Sequence, residues 1–272
     1  MVDALVNGRA ADQVALDDRG LLFGDHLFET IAFVGLRAPL WDLHMARLLR
    51  DARRLLLPEP DPELLADECR RMSLDDARCI LRITITRGSG GRAYQPLEAP
   101  EPRRIVMRRA WPEGLESARR GGLGVHTSPV RLAVGGELAG IKHGNRLEQV
   151  LAAEHARRAG VDEAVMLDVA GRVVEAIAGN LVVLIDGQAI TPTGSVSGVA
   201  GVGLQALQER LGIELIGRRL EADDLQRADA AVMINSVAGI RPVRHLDDRS
   251  LTIPDEVRRW QRLWDDLFEC EN

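Results

Sequence analysis

The stretch Trp111-Pro-Glu-Gly-Leu-Glu-Ser-Ala-Arg-Arg-Gly-Gly122 most constrains what this chain can fold into. Pro112, Gly114 and Gly121-Gly122 interrupt a polar run, which is the composition of a boundary and not of an element interior. Strand and helix patterns alternate on both sides of it. The 272 residues therefore read as two α+β domains. They are a small N-terminal α+β domain over 1–112, an interdomain linker over 113–122 and a larger C-terminal domain over 123–272.

In the first part, 1–8 reads as an edge strand turning at Asn7-Gly8, and a Gly24-Asp25 bend leads into a strand over 28–34. Residues 37–41 read as the return strand of a hairpin. A helix over 42–57 follows, with Asp42 as N-cap and Leu43, Ala46, Leu49, Ala52 and Leu56 as its apolar face. Pro58, Pro60 and Pro62 end it, and a second helix covers 63–72. Strands over 78–86 and 104–109 flank the glycine-rich loop Arg87-Gly-Ser-Gly-Gly-Arg92-Ala-Tyr94. In the second part, strands are expected over 124–128, 162–169, 172–175, 180–185, 189–191, 215–220 and 230–235. Helices are expected over 145–160, 204–211 and 255–268. The segment Ser197-Gly-Val-Ala-Gly-Val-Gly203 runs into the middle helix, where free N–H groups and the helix dipole favour an anion.

Of the 35 Lys+Arg residues, Lys142 is the only lysine. A guanidinium stays protonated, whereas a lysine amine can serve as a nucleophile or a base. A chain that uses arginine everywhere else has a use for an amine at 142. The net charge of −6 gives no basic face, which argues against nucleic acid as partner. No run of about 18 apolar residues marks a membrane span. Asp3 stands where a signal peptide would carry basic charge. Cys69, Cys79 and Cys270 are odd in number and lack metal spacing, so they read as free thiols in a cytoplasmic protein without a metal site.

With these features in order, the chain resembles the fold-type IV pyridoxal-phosphate enzymes, which include branched-chain aminotransferases, D-amino acid aminotransferases and aminodeoxychorismate lyases. The resemblance runs through Asp18-Arg-Gly-Leu-Leu-Phe-Gly-Asp25, His44-Met-Ala-Arg47-Leu, Lys142, Asp162-Glu-Ala, Gly171-Arg-Val-Val-Glu175, Gly179-Asn180-Leu and Gly198-Val-Ala-Gly201-Val-Gly203. The narrower likeness is to the aminodeoxychorismate lyases. It rests on Arg87–Tyr94, Ser128-Pro-Val-Arg131-Leu and Leu138-Ala-Gly-Ile-Lys142-His-Gly-Asn-Arg146-Leu-Glu-Gln-Val150. The resemblance implies the D-amino acid aminotransferase-like fold, with an α/β-barrel-like C-terminal domain that carries the cofactor lysine. It also implies pyridoxal 5'-phosphate, a homodimer, and conversion of 4-amino-4-deoxychorismate to 4-aminobenzoate and pyruvate on the route to folate.

The same resemblance assigns residues. Lys142 joins the cofactor as a Schiff base and moves protons, and Glu175 pairs with the pyridine nitrogen. Arg47, the N–H groups of Val202 and Gly203, and Ser236 or its neighbour Asn235 take the phosphate. Asn180 shapes the backbone under the ring, and Arg146 approaches the phenolic oxygen. The substrate's two carboxylates call for Arg92 and Arg87, with Tyr94 beside them and Arg241 as an outside candidate. Glu29 and Thr30 line the substrate space, and Thr30 orients the substrate or relays a proton. The chain departs from the pattern at His26, Gly144 and Leu204, and in lacking Ser/Thr before Asn180. Two other readings are an aminotransferase of the same fold, for D- or branched-chain amino acids, and a non-catalytic cofactor-binding protein.

Overall fold

Alternation along three long strands decides the first unit, residues 1–111 together with Ile141–Asn145. The computed structural model describes residues 3–73, 77–134, 136–193 and 197–269; the reading of Cys270 lies outside them. The elements are β1 (Ala4–Val6), β2 (Arg9–Ala10), α1 (Arg19–Phe23), β3 (His26–Val34), α2 (Trp41–Arg54), α3 (Pro62–Ser73), β4 (Arg78–Thr86) and β5 (Arg103–Arg109). The strands form an antiparallel sheet in the order β2-β1-β5-β4-β3. Successive side chains of a strand point to opposite faces. Leu27, Ile31, Leu81, Ile83, Ile85 and Val106 point to one face, where they join Met45, Leu48, Leu65 and Cys69 of α2 and α3 in one core. Phe28, Thr30, Arg82 and Thr84 point to the other face and are only half-buried.

Residues 37–41 form no return strand. A single bridge, Val34 to Arg37, closes the turn, and α2 begins at Trp41 without a side-chain cap. Its inward face also differs from the expected one. Leu43, His44, Met45, Arg47, Leu48, Asp51 and Ala52 are buried, while Ala46 and Leu56 are exposed. The turn before β3 contains the short helix α1, capped by the Asp18 side chain at Gly20 N–H.

The second unit takes residues 112–140 and 146–272. It contains α4 (Leu115–Gly121), β6 (Leu123–Leu132), α5 (Leu147–Ala159), β7 (Glu163–Asp168), β8 (Val173–Ala176), β9 (Asn180–Ile185) and β10 (Gln188–Pro192). Then come α6 (Val202–Glu209), β11 (Ile216–Arg218), α7 (Ala222–Gln226), β12 (Ala230–Asn235), β13 (Gly239–Leu246), β14 (Arg249–Ser250) and α8 (Asp255–Phe268). The mixed sheet runs β11-β10-β9-β12-β13-β6-β7-β8, with β14 on β13. It curls: Val173 N–H at one edge donates to Leu220 O just past the other, at 2.8 Å. Its core includes Val125, Val165, Leu181, Val183, Met233 and Val243. The central strand β13 is absent from the sequence reading. Pro242 sits inside it opposite Val232, and a proline demotes a strand pattern read from sequence alone. Residues 115–121, expected within a linker, are helix α4 of this unit.

Candidate active site

Lys142 lies on a short extended segment that lengthens the first unit's sheet beyond β3. Phe28 N–H donates to Lys142 O at 3.1 Å and Gly144 N–H to His26 O at 3.0 Å, with a bridge between Leu27 and His143. These bonds group the segment with the first unit, although the sequence reading places the lysine in the C-terminal domain. Ile141 is buried in the core, so by alternation Lys142 turns to the opposite face. Its Nζ stands 4.4 Å from the centroid of the Phe28 ring. Its own N–H donates to Asp51 Oδ2 at 3.0 Å. The lysine is thus fixed by a strand on one side and a buried carboxylate on the other. Sequence reasoning missed Phe28 and Asp51. Phe28 could have been found two residues before Thr30 on the same strand face. Asp51 carries no such signal.

Gly144 and His26 are linked departures. A Cβ at 144 would meet three ring atoms of His26, the farthest at 2.7 Å. The imidazole fills the space that a larger residue at 144 would take.

Beneath the sheet lies a buried cluster. Glu29 accepts from Arg47 Nε at 2.8 Å and from Arg47 Nη2, and pairs with His44 Nδ1 at 2.7 Å. Burial would raise the Glu29 carboxyl, but the charges and hydrogen bonds of Arg47 and His44 outweigh it and hold it at about 2. Burial pushes His44 down, against the pull of Glu29, and His44 Nε2 has no hydrogen-bond partner among the described residues. Glu29, expected to line the substrate space, points to the helix side and is 1% exposed. Arg47 is buried and holds Glu29.

Arg87, expected to take a substrate carboxylate, has partners within the protein. It bonds Asp25 Oδ2 at 2.8 Å and the carbonyls of Leu56 and Leu55 at 2.8 Å each, so its guanidinium is used in tying the loop to α2. Asp25 takes a second arginine, Arg19, at 3.0 Å. Burial alone would raise this carboxyl, but the two arginines hold it below the usual range. Arg92 and Tyr94 are exposed, and the Tyr94 ring lies 5.5 Å from that of Phe23. Thr30 is half-buried on β3, directly opposite Arg82 on β4.

In the second unit, Glu175 on β8 is buried. Its Oε2 accepts from Val199 N–H at 2.8 Å and its Oε1 from Gln149 Nε2 at 3.3 Å. Asn180 opens β9 and donates through Nδ2 to Val199 O at 3.1 Å. A Cβ at Gly201 would collide with the Asn180 amide, and one at Gly203 with the backbone of Asn235. Val202 and Gly203 begin α6, which has no side-chain cap. The Asn235 amide is used by Ala178 O at 2.8 Å and by the N–H groups of Val237 and Ala238, and Ser236 follows it, half-buried. Arg146 precedes α5, half-buried. Arg241 faces Glu163 at 3.5 Å, and burial raises that carboxyl in spite of Arg241. Among the described residues no cluster of His, Cys, Asp or Glu could hold a metal, and no helix is long and apolar enough to cross a membrane.

The chain matches the amino-transferase class IV family model over residues 26–246. It is 32% identical to the aminodeoxychorismate lyase of Vibrio harveyi over 241 residues, 88% of this chain and 89% of that protein. A putative branched-chain-amino-acid aminotransferase of Methanocaldococcus jannaschii is 32% identical, over 90% of this chain and 88% of that one. The crystal structure of 4-amino-4-deoxychorismate lyase from Pseudomonas aeruginosa superposes with a TM-score of 0.91 at 38% identity, covering 98% of this chain and 100% of that one. This chain belongs to the class IV aminotransferase family.

Proposed function

We propose that the protein is a pyridoxal-phosphate-dependent 4-amino-4-deoxychorismate lyase, forming 4-aminobenzoate and pyruvate in folate biosynthesis. The observation that carries the reading is the chain's single lysine, pinned by β3 and Asp51, in a chain similar over nearly its full length to two lyases of this name. The donor set fits the cofactor. Lys142 offers the amine and Glu175 a buried carboxylate for a pyridinium. The uncapped start of α6, walled so closely that a Cβ at 201 or 203 would clash, offers N–H groups to a phosphate. Arg47, Ser236, Asn180 and Arg146 are the further candidates for holding the group.

When bound, the cofactor supplies an electron sink that makes the ring C–H beside the substrate nitrogen acidic. Lys142 takes that proton. The ring-to-oxygen bond of the enolpyruvyl arm breaks, the ring becomes aromatic, and the departing enolpyruvate receives a proton at its CH2 carbon to become pyruvate. Proton transfer by a positioned side chain contributes about 10²–10⁴-fold. The Phe28 face keeps the lysine head oriented, a cation–π contact of about 0.5–1 kcal/mol where exposed. Thr30 stands on the same face to orient substrate or relay the proton.

We further propose a cytoplasmic homodimer. The exposed Leu147, Val150 and Leu151 of α5 give apolar surface for a partner, and sedimentation as a monomer at micromolar concentration would refute the dimer. The lyase reading is tested by mixing protein, pyridoxal phosphate and aminodeoxychorismate. Fluorescent 4-aminobenzoate should appear with equimolar pyruvate, and Lys142→Ala should abolish it. The likeness to a branched-chain aminotransferase gives the rival reading. It wins if no 4-aminobenzoate forms and an amino acid converts the bound cofactor to its pyridoxamine form.

A further inference from the structure

The segment Arg146-Leu-Glu-Gln149 opens α5 in the second unit, and its two carboxyl and amide side chains have separate tasks. Glu148 accepts from Ala133 N–H at 3.2 Å, which ties the first turn of the helix to the chain just past β6. Gln149 is buried, at 8% exposure, and its Nε2 donates to Glu175 Oε1 at 3.3 Å. An ionised carboxylate only accepts, so this contact decides which end of the amide faces it. The other end, Oε1, is buried without a hydrogen-bond partner among the described residues. A buried amide oxygen in that state is costly, and a methionine or leucine would fill similar space without the cost. The amide is therefore explained by its N–H and not by packing. The second oxygen of Glu175 is held by backbone. Val199 N–H donates to Oε2 at 2.8 Å, and a Cβ at Gly198 would come within 3.0 Å of that oxygen. One side of the carboxylate is thus set by the chain around 198–199, and the other by the Gln149 amide.

We propose that Gln149 is a positioning residue for Glu175, keeping that carboxylate ionised and oriented for the cofactor's ring nitrogen. The proposal rests on the reading of Glu175 as the partner of that nitrogen. A hydrogen bond to the charged form of a carboxylate favours that form. The proton between carboxylate and ring nitrogen then stays on the nitrogen, the state in which the ring withdraws electrons best. Without the amide, Oε1 loses a donor, the carboxylate becomes a better base, and the proton shifts toward it. The carboxylate plane also gains freedom to turn about the bond that Val199 makes to Oε2. Gln149 needs no contact with cofactor or substrate for this, so its effect falls on turnover and not on substrate binding.

The test loads wild type, Gln149→Met, Gln149→Leu and Glu175→Gln with pyridoxal phosphate isotopically labelled at the ring nitrogen. The NMR shift of that nitrogen reports whether it carries a proton, and kcat and KM for aminodeoxychorismate are measured beside it. In wild type the shift should be that of a protonated nitrogen. In both Gln149 variants it should move toward the unprotonated value, part of the way taken by Glu175→Gln. Their kcat should fall about 10-fold, the lower end of what a hydrogen bond to a charged group is worth. KM should stay within about twofold of wild type, with the cofactor still bound. A purely structural role predicts weaker cofactor binding and a lower Tm with the shift unmoved, and that result overturns the proposal. So does a kcat within about twofold of wild type in both variants. A shift that moves in Glu175→Gln but in neither Gln149 variant sinks the Gln149 inference alone. A shift that moves in none of the three removes Glu175 as the nitrogen's partner, and the proposal falls with it. If wild type makes no 4-aminobenzoate, the lyase reading fails, while the shifts still decide the role of Gln149.

Discussion

Replacing Gly144 by Ala should disturb the lysine segment through one contact, and removing that contact should undo the damage. Gly144 does not use the left-handed backbone reserved for glycine, so an alanine there is limited by space alone. The three atoms a Cβ would meet all belong to the His26 ring, the farthest at 2.7 Å. That ring is half-buried, with Nδ1 at 3.2 Å from Gly20 O, and faces Phe28 at 6.5 Å between centroids. It therefore gives way only by breaking contacts of its own. Overpacking of this kind costs about 1–3 kcal/mol, and in a chain of this size each kcal/mol lowers Tm by roughly 2–4 °C. His26→Ala removes the obstacle at a smaller cost, since the ring is partly solvated. The double variant should be more stable than the sum of the singles by about 1–3 kcal/mol. The assay is a thermal or urea double-mutant cycle. The visible absorbance of bound pyridoxal phosphate is the second readout, because Lys142 lies two residues away. Gly144→Ala should weaken cofactor binding and shift the band, and both should return in the double variant. A coupling energy within about 0.5 kcal/mol of zero would refute the reasoning and leave the glycine required by something other than His26.

Glu29, held at about 2 by Arg47 and His44 against its burial, is a depressed carboxylate. Its stabilisation is full above the unfolded value of about 4.3 and is lost as pH falls toward 2. Tm should drop steeply through that window, and Glu29→Gln should flatten the slope while costing on the order of 3–5 kcal/mol at neutral pH; an unchanged slope would assign the titration elsewhere. Arg87→Met should lose on the order of 2–3 kcal/mol, less than a fully buried pair because Arg19 still covers Asp25. Its KM for aminodeoxychorismate should stay within about twofold of wild type, and a tenfold rise would return Arg87 to the substrate site. Glu175→Gln should still bind pyridoxal phosphate but lower turnover about 10²–10³-fold; near-normal turnover would remove Glu175 from its pairing role.

What the sequence makes legible is chemistry that repeats along the chain or stands alone in it. A lone lysine among arginines, and a glycine-rich run entering a helix, can be read without coordinates because composition and spacing carry them. So can most strands, since the pleat enforces a period of two. What stays hidden is the partner of each polar residue. Helix α2 shows why. Counting apolar positions selects Ala46 and Leu56, yet both are exposed, because the inward stripe is partly polar. His44 and Arg47 are buried against Glu29, and Asp51 is satisfied by the Lys142 N–H, distant in sequence, together with its neighbour Arg50. Glu29 reads as a substrate ligand for the same reason. Alternation says that it and Thr30 face opposite ways, but not which face the helices cover. Arg82 is the sharpest case. Among 35 Lys+Arg residues nothing in its sequence neighbourhood sets it apart. It stands out only once register puts it across from Thr30 and beside the ring that Lys142 also contacts. The informative quantity is a juxtaposition across two strands, and it exists only in three dimensions.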